Sequence, residues 1–158
     1  MEIERKYLVK EMPADLDKAK VLHIEQAYIS PRPVIRVRHI LTEGEESFIL
    51  TVKGKGRKVR EEHELDLDRE AYERLLAKKE GILLKKDRYL IPLEEGLTAE
   101  LDVYEAPYAD LRTVEVEFSS EEDMERFQAP EWFGKEVSED EWYSNSYLCT
   151  NIDQESQR

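Results

Sequence analysis

Apolar and polar residues alternate with a period of two over most of this chain, in short segments separated by clusters of Gly, Pro, Asp and Glu. Successive side chains on a strand point to opposite faces, so the pattern predicts half-buried β-strands. Eight segments qualify, at residues 3–9, 21–30, 34–41, 47–53, 59–67, 83–91, 98–104 and 112–118. Helical signals are fewer. Asp68 offers an N-cap to a stripe of Leu67, Ala71, Leu75 and Leu76 that stops at Gly81; Ser120 opens a second helix, and residues 138–148 read as a third. The segment 151–158 is a polar tail, leaving one domain over residues 1–150.

The charges on these strands have an unusual distribution. One face of an antiparallel sheet is ordinarily solvated and carries mixed signs, because like charges side by side repel. Here the signs segregate. Glu2/Glu4, Glu62/Glu64, Glu100/Asp102 and Glu115/Glu117 are acidic pairs, while Arg36/Arg38 and Lys86/Arg88, with Lys6 and Lys53, are basic. The opposite faces carry Ile3 and Tyr7, Ile35 and Val37, Leu101 and Val103, and Val114, Val116 and Phe118. Strand by strand this reads as a solvated face; over the whole chain the segregation costs stability unless a ligand neutralises it. The expected fold is mainly β (α+β): a closed eight-stranded antiparallel barrel with flanking helices and a C-terminal helix, its charged faces lining the interior.

Composition narrows the function classes. With 24 Lys+Arg against 37 Asp+Glu in 158 residues, the formal net charge is −13. Such a field repels phosphate polymers and anionic membranes, so no nucleic-acid or membrane partner is expected, though a local basic cluster can hold a small anion. One cysteine, Cys149, permits no internal disulfide, and no apolar run approaches the ~18 residues of a membrane span, so a cytoplasmic protein is expected, monomer or homodimer. His23, His39 and His63 show no metal-ligand spacing. The basic Gly-rich run from Lys53 to Arg60 lacks the GxxxxGK[ST] pattern, and its bland reading is a solvated hairpin in which Lys53 alone ends a strand on the charged face.

Carboxylates two apart on one strand face reach a common cation, and hard divalent ions such as Mg²⁺ or Mn²⁺ suit all-oxygen ligands. Guanidinium forks and ammonium groups suit phosphate oxygens. Acids on one wall and bases on another therefore match a polyphosphate with bound metal, and metal-assisted phosphoryl transfer to water follows as a reaction class.

The opening Glu2-Ile3-Glu4-Arg5-Lys6 resembles the ExExK motif of the CYTH superfamily, the triphosphate tunnel metalloenzymes. The order continues with Arg36-x-Arg38, Thr51-Val52-Lys53, Glu62-x-Glu64, Lys86-Asp87-Arg88-Tyr89, Glu100-Leu101-Asp102 and Glu115-Val116-Glu117, and the segment from Trp132 to Asp140, with Tyr143 and Asn145, is similar to the family's carboxy-terminal part. The resemblance implies an eight-stranded tunnel enzyme, a metal-dependent hydrolase. Lys6, Arg36, Arg38, Lys53, Lys86 and Arg88 would hold the triphosphate, with Arg57 at the tunnel mouth and Lys135 reaching it from the closing segment. Glu2, Glu4, Asp102, Glu115 and Glu117 would bind one or two Mg²⁺ or Mn²⁺ ions, joined by Glu62, Glu64 and Glu100. Glu4 or Glu117 would activate the water, with Lys6 in the catalytic group, and Tyr28 would either touch the site or pack beside it. The resemblance to the short bacterial-type members favours inorganic tripolyphosphate, a small-molecule substrate, giving pyrophosphate and phosphate. Thiamine triphosphate or another organic triphosphate, a class IV adenylate cyclase reaction, and a non-hydrolytic polyphosphate-binding module are the alternatives.

Overall fold

The computed structural model describes residues 1–14 and 16–151; the predicted polar tail, apart from Asn151, lies outside the described residues. Its strands are β1 (Glu2–Val9), β2 (Lys20–Pro31), β3 (Val34–Thr42), β4 (Glu45–Lys53), β5 (Val59–Arg60), β6 (Glu62–Leu67), β7 (Glu80–Pro92), β8 (Thr98–Tyr104), β9 (Arg112–Glu117) and β10 (Phe133–Glu136). The helices are α1 (Arg69–Leu76), α2 (Glu121–Arg126) and α3 (Asn145–Thr150). All pairings are antiparallel, in the order β10-β1-β9-β8-β7-β2-β3-β4-β6, and β5 turns the sheet back on itself by pairing with β1.

The expected barrel is therefore present, with a difference at its closure. The predicted strand 59–67 breaks at Glu61, whose carbonyl accepts from the Gly54 N–H at 2.9 Å. What remains of its first half is β5, which meets β1 only at Glu2↔Arg60 and Ile3↔Val59, supported by the Glu4 N–H to the Lys58 carbonyl at 2.8 Å. The seam between β6 and β1 is otherwise unsealed. Further along, the same edge of β1 is taken by β10 (Tyr7↔Glu136, Val9↔Phe133), a four-residue strand too short for an alternating pattern to announce it.

Apolar side chains lie mainly on the outside of the wall. Tyr7, Leu101, Val114, Val116 and Phe118 pack under α2 and Phe133, and Val37 and Phe48 pack under Tyr72 of α1. Leu101, Val114 and Val116 are fully buried, each contributing about 1.5–3 kcal/mol of transfer free energy. The Asp68 side chain caps α1 by accepting from Ala71 N–H at 2.8 Å, and Ser120 caps α2 from Asp123 N–H at 3.1 Å, as expected. Helix α1 ends at Leu76, short of Gly81. That glycine instead bends β7 with φ of +80°, and a Cβ on it would lie 2.0 Å from the Cys149 carbonyl oxygen.

This close approach lets α3 enter one end of the barrel. Leu148 and Cys149 are buried there against Tyr28, Leu84 and Tyr104, which point inward, and against Tyr108. The expected helix over 138–148 is correspondingly shorter. Ser138 pairs with β1, its hydroxyl accepting from Lys6 N–H at 2.9 Å; a single 3₁₀ turn follows at Glu141–Tyr143, and Ser144 caps α3 by accepting from Tyr147 N–H at 3.2 Å.

Candidate active site

The barrel encloses a cavity of about 300 Å³ between its polar inner faces and the carboxy-terminal segment. Strand parity brings the side chains there. Odd-numbered residues of β1 face the outer core, so Glu2, Glu4 and Lys6 face inward, and β9, registered Glu4↔Glu117 and Lys6↔Glu115, adds two more carboxylates beside them. The facing wall carries Arg36 and Arg38 from β3, Lys53 from β4 and Arg88 from β7, with Glu62 and Glu64 from β6 and Glu100 from β8 between the two.

Carboxylate oxygens of Glu2, Glu4 and Glu117 lie within 4.8 Å of one another, close enough to share one ion. Their partners differ. Both oxygens of Glu2 accept from Lys53 Nζ at 3.1 Å, and one accepts from Arg60 Nε at 3.2 Å. Against the cost of burial, Lys53, a hydrogen bond from Glu62, and Arg60 hold Glu2 below its ordinary pKa. Glu4 has the reverse balance: burial and then the charges of Glu115 and Glu2 hold it well above the usual range. Partial desolvation, with Glu100, Glu2 and Glu115 nearby, pushes Glu117 up to about 7. Glu115 pays the burial cost as well, yet Lys6 at 3.5 Å, Arg88 and Lys86 hold it well below its ordinary value. Glu100 has one oxygen on Arg88 Nη1 at 3.1 Å and the other buried without a hydrogen-bond partner among the described residues; burial and then, against the pull of Arg88, the Glu115 charge raise it.

The basic wall is equally unbalanced. Arg36 donates from Nη2 to Thr51 Oγ1 at 3.2 Å, while the acid nearest Arg38 among the described residues is Glu64 at 3.8 Å. The Nε of each is buried with no hydrogen-bond partner among the described residues. Burial, then Arg36 and Arg88, pull the Arg38 guanidinium down to about 9. Two adjacent under-bonded guanidinium groups in a closed space are a receptor for an oxyanion. Lys6 donates from Nζ to the Tyr143 carbonyl at 2.7 Å, tying the tunnel wall to the segment that fills its end.

Of the residues singled out in the sequence, Glu2, Glu4, Lys6, Arg36, Arg38, Lys53, Arg57, Glu62, Glu64, Arg88, Glu100, Glu115 and Glu117 line this cavity, and so does Tyr28. Lys86 and Asp102 do not. Their side chains are fully buried in the wall, 2.7 Å apart, and Asp102 also accepts twice from Arg88 (Nε at 2.8 Å, Nη2 at 2.9 Å). Lys135 is not brought there either: it is exposed on β10, beside a separate surface concavity with Lys58, Glu136 and Glu139. Arg60 is a lining residue that pattern reading passed over, although it shares the even parity of Glu62 and Glu64. Ser138, Ser144, Asn145 and Ser146 also line the cavity from the closing segment, where no periodicity could place them. Among the described lining residues Tyr28 is the one aromatic; Trp132 packs edge-on against Phe133, and Trp142 lies tilted against Tyr147.

No family model matches the chain. Individual proteins do. An inorganic triphosphatase of Nitrosomonas europaea is 38% identical over 152 residues, covering 96% of this chain and 98% of the relative. An inorganic triphosphatase of Acetivibrio thermocellus is 34% identical over 154 residues, covering 95% and 94%. The crystal structure of an inorganic triphosphatase superposes with a TM-score of 0.66 at 34% identity, covering 95% of each chain. Together with the antiparallel tunnel and its two charged walls, these likenesses mean that the chain belongs to the inorganic triphosphatases of the CYTH tunnel family.

Proposed function

We propose that the tunnel hydrolyses inorganic tripolyphosphate to pyrophosphate and phosphate with the help of a divalent cation, Mg²⁺ or Mn²⁺. The observation that carries this is the pairing, in one cavity, of the Glu2–Glu4–Glu117 carboxylate cluster with two arginines whose buried Nε groups have no hydrogen-bond partner among the described residues. Lys6, Arg36, Arg38, Lys53 and Arg88 grip the phosphate chain, and Arg57 stands at the tunnel mouth, 3.6 Å from Glu141. Glu2, Glu4 and Glu117 hold the cation, supported by Glu115 and Glu100, with Glu62 and Glu64 setting the charge balance around Lys53 and Arg38. The all-oxygen donor set fits a hard divalent ion, and the raised proton affinities of Glu4 and Glu117 come first from burial and then from neighbouring carboxylate charges, a repulsion that such an ion relieves. When bound, the cation draws charge from the phosphoryl oxygens. Glu4 or Glu117 accepts the proton of the attacking water: Glu117, pushed up to about 7, has the affinity that suits a base working near neutrality, and Glu4 stands beside it in the same cluster. Asp102 and Lys86 are assigned behind the site, holding Arg88 at its angle, and Lys135 is given no part in it.

We place the protein in the cytoplasm on its composition and single, buried cysteine; no helix among the described residues is long and apolar enough to cross a membrane. The deciding experiment measures phosphate release from tripolyphosphate, ATP and thiamine triphosphate in parallel, with Mg²⁺, Mn²⁺ or EDTA, assaying cyclic AMP on the ATP samples. Metal-dependent preference for tripolyphosphate is expected. Preference for an organic triphosphate overturns the substrate, and cyclic AMP overturns the reaction.

A further inference from the structure

A second concavity, of about 910 Å³, opens beside the end of the barrel that α3 fills. It is bounded by the β2–β3 hairpin, the basic loop between β4 and β5, and α3, and it joins the tunnel at Val34, Lys53, Arg57, Arg60 and Ser146, which line both spaces. A linear anion too long for the tunnel would emerge here. The lining is basic, with Arg32, Lys55 and Arg57 at its outer part, and holds one acid among the described residues, Glu141. A single carboxylate oxygen of Glu141 makes an ion pair with Arg32 and lies 3.6 Å from Arg57. Its backbone is fixed by the 3₁₀ turn: the Glu141 carbonyl accepts from Ser144 N–H at 3.0 Å and from Ser144 Oγ at 2.8 Å. Glu141 thus occupies the two cations that would otherwise receive a further phosphoryl group.

We infer that Glu141 is a specificity-determining residue, whose charge at the tunnel exit limits the accepted chain to three phosphates by neutralising Arg32 and Arg57 and repelling a fourth phosphoryl group. The inference rests on the tripolyphosphatase reading of the tunnel. The pair is half exposed, with side-chain exposures of 75% for Arg32 and 46% for Glu141, so solvent screens the effect. A discrimination of roughly tenfold is the scale for a charge met at a few ångströms near a surface.

The test compares the unaltered protein with Glu141→Gln, which keeps shape and hydrogen bonding but removes the charge, and with Glu141→Asp, which restores it. Each is given tripolyphosphate and linear tetraphosphate, and two quantities are measured: KM and kcat for phosphate release with Mg²⁺, and affinity in EDTA by calorimetry. In Glu141→Gln the preference for tetraphosphate over tripolyphosphate should rise about tenfold, in KM and in affinity and not in kcat, while Glu141→Asp keeps the native ratio. An unmoved ratio in Glu141→Gln overturns the inference, and so does a native protein that accepts both chains equally. If no form releases phosphate from tripolyphosphate, the proposed function falls, and the affinity ratio still decides the role of Glu141.

Discussion

Glu4 and Arg5 are neighbours on β1 and live in opposite electrostatic worlds. Glu4 points into the tunnel among Glu2, Glu115 and Glu117, and its carboxyl binds protons far more tightly than usual. Arg5 points outward, where its guanidinium forks onto both oxygens of Glu136 at 3.1 and 2.7 Å and onto the carbonyls of Met124 (3.0 Å) and Phe127 (3.3 Å). That one side chain ties β1 to β10 and to the end of α2. Glu136 is held down at about 2, first by this hydrogen bond and, against partial burial, by Ser138 and the Arg5 charge. The outer clamp is an ion pair already complete. The inner group is a set of like charges left incomplete, which raises the free energy of the folded chain and fits a protein that reserves those positions for a ligand.

The sharpest way to break this contrast is to neutralise the inner group. Glu4→Gln should cut kcat for tripolyphosphate by about 10²–10⁴ while leaving the melting temperature unchanged or higher, because a repulsive charge is removed. A loss of stability in circular-dichroism melts, or retained turnover, would mean that Glu4 is an ordinary structural carboxylate. On the opposite wall, Arg38→Ala should raise KM roughly ten- to a hundredfold with a smaller change in kcat, since an arginine that contacts the anion in ground and transition states alike contributes mainly binding. A pure kcat effect would assign Arg38 to the transition state instead.

Next in size is the response to divalent metal. At a concentration one hundred times its dissociation constant, an ion binding only the folded state adds about 2.7 kcal/mol, and for a chain of this length each 1 kcal/mol is about 2–4 °C. Mg²⁺ or Mn²⁺ should therefore raise the melting temperature by several degrees, and Glu4→Gln should blunt the rise. Equal shifts in both proteins would move the ion away from the Glu2–Glu4–Glu117 cluster.

How far the sequence reaches follows the same division between face and depth. Period-two alternation identifies which residues turn inward, and Glu2, Glu4, Arg36, Arg38, Lys53 and Glu117 arrive in the cavity because parity is all they require. Parity is silent about depth. Lys86 shares a face with Arg88, yet α3, Tyr28 and Tyr104 fill that end of the barrel, so Lys86 is sealed against Asp102, and burial pulls its ammonium down to about 7. Segments whose structure is decided by a distant partner are silent too. Strand β10 exists because the second half of β1 offers a free edge and Lys10 N–H reaches the Trp132 carbonyl at 2.9 Å. Ser138 looks like a helix cap in sequence and is instead spent on β1, so the true cap comes six residues later, at Ser144.

The smallest effect, and the one that isolates the outer half of the comparison, is the acid dependence of the Arg5–Glu136 clamp. Glu136 has a folded-state pKa of about 2 against an ordinary value of 4.5, so ionised Glu136 binds its partners more strongly in the folded chain than in the unfolded one. The stabilisation is present in full above about 4.5 and is lost as pH falls through about 2. With side-chain exposures of 19% for Arg5 and 28% for Glu136, solvent screening leaves its size near 1 kcal/mol. Glu136→Gln should therefore melt lower than the native protein at pH 6, and the two should converge as the buffer is taken from pH 4.5 toward pH 2. Metal-dependent turnover at pH 7, measured well below the melting temperature, should stay within about twofold of the native protein, since Glu136 is not among the residues that line the tunnel. A gap in melting temperature that stays constant with pH would mean that packing, not the carboxylate charge, joins β10 to β1.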